Sequence, residues 1–146
     1  LKKSKMIKLY LLGVLIALYS LCSISSCQSG KDIKTAQYAV NGQKIYINHC
    51  KNCHGDKGEG LGLLYPPLTD VEFLTKNRDR LSCIVKNGLE EEIVVAGKTF
   101  NTKMPANEIL TDIDIAYVLT YITTNFGKQD KIFSLEEVQM SLKNCK

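Results

Sequence analysis

A chain of 146 residues, 45% hydrophobic and 23% charged, has room for one compact domain plus a targeting segment and excludes two full domains. Its net charge of +4 comes from Lys2, Lys3, Lys5 and Lys8: these four taken from the 19 Lys and Arg leave 15, matched by 15 Asp and Glu. A body so close to neutral gives no reason to expect nucleic acid as a partner.

The first 27 residues read as an export signal, with a basic stretch to Lys8, an apolar run over residues 9–18 and small polar residues beyond it. The run is shorter than the ~20 residues that cross a bilayer. Ile24-Ser25-Ser26-Cys27 resembles the lipobox of bacterial lipoproteins. That resemblance implies a signal peptide over 1–26, a lipid on Cys27 and a polar tether over 27–34. An uncleaved N-terminal anchor, with Cys22 and Cys27 as small apolar residues, is the alternative. Either places the remainder outside the cytoplasm, where disulfides persist.

Residues 35–49 have a helical pattern with Ala39, Gly42 and Tyr46 on one face. Gly42 costs such a helix ~1 kcal/mol relative to Ala, so its use is to let another backbone or ring come close. Residues 55–67, with four glycines and two prolines, form a loop. A second helix is expected over 77–87, with Leu81, Ile84 and Val85 as its stripe and Gly88 as its stop. Residues 92–104 read as a hairpin, Ile93-Val94-Val95 turning at Ala96-Gly97 and Thr99-Phe100 returning toward Met104. The strongest helix covers 112–126, opened by Thr111 with Asp114 and closed by Gly127. Its apolar residues lie nearly all round, so it is expected to be buried on most sides. A last helix covers 135–144, opened by Ser134 with Glu137 as a capping box.

Cys50-Lys51-Asn52-Cys53-His54 is the C-x-x-C-H attachment pattern of a c-type haem. Two thiols three positions apart at a helix end reach the two vinyl groups on one porphyrin edge, and the next residue directs an imidazole at the iron. A thioredoxin-like pair needs a βαβ setting, and a zinc site needs a second ligand pair that the lone Cys83 and Cys145 do not form. Met104, followed by Pro105, is the candidate sixth ligand, a thioether that favours ferrous iron. Beyond the signal the one other methionine, Met140, sits in the terminal helix. His49 lies too close to Cys50 to cross the haem and reads as a helix-surface residue.

With these residues the chain resembles the class I cytochrome c family over residues 35–127. The resemblance implies an all-α fold with a small β-hairpin before the methionine; a short extra C-terminal helix over 128–146 follows. It gives Gly42, Tyr46 and Tyr121 the role of packing the first helix on the last helix of that fold. It also implies a proline carbonyl on the outer nitrogen of His54 and a leucine against the porphyrin. Pro66 and Leu68 fit, although the doublet Pro66-Pro67 leaves the register open by one. The implied function is one-electron transfer by one covalent haem c, between redox partner proteins, at a membrane through the lipid anchor, with no catalysis at the iron. A peroxidase-like site with an open iron position, and a haem subunit of a larger oxidoreductase, are the other readings. A lysine docking ring is not evident: Lys51, Lys57, Lys86, Lys98 and Lys103 read as ordinary surface.

Six cysteines less Cys22, Cys27, Cys50 and Cys53 leave Cys83 and Cys145 as a candidate disulfide. Helical phase turns Cys83 away from the Leu81, Ile84, Val85 stripe, and Cys145 extends the apolar side of the last helix. Two unpaired thiols at separate packing sites are the alternative.

Overall fold

The computed structural model describes residues 2–23 and 30–145, and the chain divides into two units, Leu1–Asp32 and Ile33–Lys146. In the first, helix α1 covers Lys2–Ser23. No helix among the described residues is long and apolar enough to cross a membrane. The lipobox and Cys27 lie outside the described residues.

In the second unit the chain runs through α2 (Gly30–His49, begun in the first unit), the single turn α3 (Lys51–His54), α4 (Val71–Lys76), α5 (Arg78–Asn87), strands β1 (Ile93–Val95) and β2 (Lys98–Phe100), α6 (Asp112–Asn125) and α7 (Leu135–Lys143). Helix α2 starts at Gly30, five residues before the expected start, so residues 30–34 are helical rather than an irregular tether. Adding turns to an existing helix needs no new nucleus, and no proline stops it there. Helix α4 was not foreseen. Six residues are too few for a periodicity, although Asp70 caps it by accepting the Phe73 N–H at 3.1 Å.

Helix α6 is the core of the unit. Ile115, Ala116, Val118, Leu119, Thr120, Ile122 and Thr123 are all buried, as an apolar pattern on every side requires. Its N-terminus carries the complete Thr111–Asp114 capping box. Its C-terminus differs from expectation: the left-handed residue is Lys128 at φ 52°, not Gly127. Gly127 serves close packing instead, because a Cβ there would meet Leu74 Cδ1 at 2.8 Å.

The hairpin pairs Ile93 with Phe100 and Val95 with Lys98, turning at Ala96 and Gly97, both at positive φ (50° and 72°). This is the backbone that a two-residue hairpin loop demands. Ala96 pays for its left-handed conformation in strain, and the Asp70 carboxylate offsets it by accepting the Ala96 N–H at 2.6 Å.

Helix α7 packs on α5 and α6. Ser134 caps it by accepting the Glu137 N–H, but the Glu137 carboxylate does not close the expected box. It binds Arg78 instead, which also donates to Gln129 and to the Ile132 carbonyl and lies 3.7 Å over the Phe133 ring. Cys83 and Cys145 are joined as a disulfide, with Cα atoms 5.6 Å apart.

Candidate functional site

At the end of α2 the chain breaks direction at Cys50 (φ −122°, ψ −37°) and makes the one turn of α3. The Cys53 and His54 N–H groups both donate to the Cys50 carbonyl, at 3.2 and 3.0 Å. That turn sets the two thiols and the imidazole on one side, at one wall of a cavity. Gly55, at φ 82°, then ends it.

His54 is buried, and its Nδ1 donates to the Pro66 carbonyl at 3.0 Å. With the proton held there, the Nε2 lone pair is left for a metal. Burial lowers the His54 pKa, opposed by the Pro66 bond, so the ring is neutral and able to ligate. Of the Pro66-Pro67 doublet it is Pro66 that makes the contact. The carbonyl is brought into reach by Gly60 (φ 70°), where a Cβ would lie 2.4 Å from the Tyr65 oxygen. Leu68, whose N–H donates to Gly58 at 2.7 Å, lines the same cavity.

The Cys50 thiol sits in surroundings unlike those of an exchange-active cysteine. Burial, and then Cys53, push Cys50 up to about 11, so it stays protonated at neutral pH. An exchange-active cysteine needs a lowered pKa.

Behind the turn, Tyr46 donates to the Gly55 carbonyl at 2.7 Å, and its ring forms a triangle with Tyr121 and Phe126 with centroids 5.3–5.4 Å apart. Gly42 lets α6 come against α2, since a Cβ there would lie 2.0 Å from the Tyr117 carbonyl oxygen. The Gly42, Tyr46 and Tyr121 contacts therefore fix α3 against the core.

Elsewhere on the cavity, Gly88 (φ 80°) ends α5 and admits the returning chain, as a Cβ there would sit 2.4 Å from the Met104 oxygen. Met104 and Leu89 exchange both backbone hydrogen bonds, at 2.8 and 3.0 Å. This pair pins Met104, which faces the cavity together with Pro105. Leu81, Ile84 and Val85 of α5 face it too, and Cys83 points elsewhere. Phe73 and Leu74 of the unforeseen α4, and Ile93 and Phe100 of the hairpin, complete walls that sequence reading had not assigned. No local pattern marks them, because they converge only in the fold. The cavity and its open mouth together hold about 1170 Å³ of empty space. His49 sits at the rim and is exposed.

Three of the five lysines are engaged within the domain: Lys51 pairs with Asp56 at 2.7 Å, Lys103 pairs with Glu90, and Lys86 Nζ donates to the Glu108 and Leu110 carbonyls at 2.9 and 2.7 Å.

Two thiols, a neutral buried imidazole with its outer nitrogen tied, and a pinned thioether around one apolar cavity fit a covalently bound haem. A helical fold with such a site defines the class of haem c electron carriers. A family model described as Cytochrome c matches residues 39–126. Cytochrome c-552 of Thermus thermophilus is 35% identical over 109 residues, covering 68% of this chain and 82% of that protein. A second cytochrome c-552 of the same species is as similar, with 73% of its length covered. The chain belongs to the cytochrome c family and carries one covalently bound haem c with its iron.

Proposed function

We propose that the chain is an exported mono-haem cytochrome, held at a membrane by a lipid on Cys27, that passes single electrons between redox proteins through His54/Met104-ligated haem. The reading rests on one observation above all: His54 and Met104 enter the same apolar cavity, each fixed by hydrogen bonds to the backbone around it. Haem bound there supplies an iron that changes charge by one electron without making or breaking bonds.

The chain's own residues do the rest. Cys50 and Cys53 would hold the macrocycle by thioethers, and His54 would give Nε2 while the Pro66 carbonyl keeps its ring from turning. Met104 would offer its thioether sulfur to the iron as the second protein ligand. Ligands held this firmly keep one geometry in both oxidation states, and the apolar walls of α4, α5 and the hairpin exclude water. The basic stretch, the apolar run and the Ile24-Ser25-Ser26-Cys27 pattern support export and the anchor.

Met104→Ala tests the ligand assignment. Haem should stay attached, because both cysteines remain, while the methionine-to-iron charge-transfer band disappears and the reduction potential falls. An unchanged band and potential would remove Met104 from the site.

A further inference from the structure

Helix α2 carries a line of apolar side chains on the face it turns to solvent. Ile33, Val40 and Ile47 are 50%, 56% and 49% exposed, and they recur at steps of seven positions, about two turns of helix. The opposite face holds the domain together. Tyr46 is buried there, and Gly42 lies so close to α6 that a Cβ would meet the Tyr117 carbonyl oxygen at 2.0 Å. The outward line contributes nothing to that packing. Scattered exposed apolar residues need no explanation, but a β-branched residue at three successive equivalent positions asks for a covering surface.

The line is one side chain wide. Ala36 and Gln43 flank it on one side, Gln37 and Lys44 on the other, all exposed. A partner helix needs a second apolar row at the intervening positions, where Ala36 and Gln43 stand instead. A single row bordered by long polar side chains suits a lipid surface: the apolar tips enter the acyl boundary while the amides and the ammonium group reach the headgroups. Charge agrees with this. Residues 33–55 contain Lys34, Lys44 and Lys51 and no Asp or Glu, although the body beyond the signal balances 15 of each sign. Lys34 lies over the Tyr38 ring, Lys51 pairs with Asp56, and Lys44 stands beside the line. Nothing on this face repels anionic lipid.

Place in the chain selects the same occupant. Six positions separate Cys27 from Ile33, a reach of at most ~20 Å, so a lipid on Cys27 keeps the start of the line at the bilayer. Three side chains bind a membrane weakly on their own. Beside an anchor they have only rotation about the tether to overcome.

We infer that the Ile33, Val40, Ile47 face of α2 lies on the surface of the anchoring membrane and sets the orientation of the haem domain there. The inference rests on the lipid reading above. Ile47 precedes Cys50 by three positions, and His49 lines the rim of the cavity. A helix lying along the bilayer therefore holds its haem end beside the membrane, within reach of redox proteins embedded in it.

The test uses the lipidated holoprotein in vesicles of phosphatidylethanolamine and phosphatidylglycerol, with a small fluorophore at Val40→Cys. Brominated acyl chains should quench it and aqueous iodide should not. The same fluorophore at Val94→Cys, on a similarly exposed apolar residue of the hairpin (61%), should show the reverse. Adding Ile33→Ser and Ile47→Ser should return the Val40 probe to iodide and leave the ferric methionine band unchanged, because both side chains are exposed. Quenching of the Val40 probe by iodide without those two changes overturns the inference. So does shielding from iodide that fades as the protein is diluted within the bilayer, which would make a second copy the cover. In both cases acylated Cys27, found by mass spectrometry, leaves the anchor reading standing. Failure of that reading looks different: Cys27 carries no acyl chain and the protein does not sediment with the vesicles, and the inference falls with it.

Discussion

Asp70 joins two elements with one carboxylate, one oxygen capping α4 at the Phe73 N–H and the other accepting the Ala96 N–H of the hairpin turn. These two backbone bonds, Phe73 first and then Ala96, hold its pKa below the usual carboxylate range. A carboxyl with a depressed folded pKa contributes stability that is present above its unfolded value, ~3.9, and is lost as pH falls through the folded value. Asp70→Ala removes both contacts and should cost about 1–2 kcal/mol at pH 7, since a lost cap alone costs ~1. Asp70→Ser should recover the cap part only, because its shorter side chain serves Phe73 and not Ala96. In denaturant unfolding the gap between wild type and Asp70→Ala should narrow below pH ~4. An equal gap at pH 3 and pH 7 would show that the carboxylate charge has no part in it. At this scale the sequence was most legible where chemistry is consecutive. Cys50, Cys53 and His54 need only one turn to come together, whereas Asp70 and Ala96 lie 26 positions apart and no local pattern links them.

Helix α7 is fastened to α5 by the Cys83–Cys145 bridge and by Arg78, whose guanidinium binds Glu137 on its polar side and covers Phe133 with its face. The bridge spans 62 positions, a loop for which chain entropy gives about 4 kcal/mol, less whatever structure the unfolded chain keeps. Cys83→Ser with Cys145→Ser should therefore lower stability by about 2–4 kcal/mol and expose α7 to protease, while haem stays attached. A thiol count on the denatured, unreduced wild type should find no free thiol. Two would contradict the bridge. Elements were legible in the sequence in proportion to their length and caps. The Thr111–Asp114 box located the start of α6 to the residue, and Ala96-Gly97 set the hairpin register. Helix α4 escaped because six residues make less than two turns, and the Ser134–Glu137 box was only half made because Arg78, 59 positions away, claimed the carboxylate.

Over the whole molecule, the charges of the body beyond the signal balance, and Lys51, Lys103 and Lys86 are held by Asp56, Glu90 and backbone carbonyls. The lipid reading makes its own prediction: Cys27→Ser should release the chain from membranes or stall its processing, and mass spectrometry of the wild type should find acylated Cys27 as the first mature residue. A mature N-terminus beyond residue 27 would exclude the anchor. The cavity as a whole could not be read from the sequence, since its walls come from α3, α4, α5, the hairpin and α6 at once. What could be read were two residues that line it, His54 from a consecutive motif and Met104 placed before a proline. The central claim is that both axial positions are filled by this chain. The most direct measurement is the optical spectrum of the haem-loaded wild type, taken ferric and then ferrous under carbon monoxide. The account predicts the methionine-to-iron band in the ferric state and a ferrous spectrum that carbon monoxide leaves unchanged; a ferric spectrum without that band and ready uptake of carbon monoxide would contradict it.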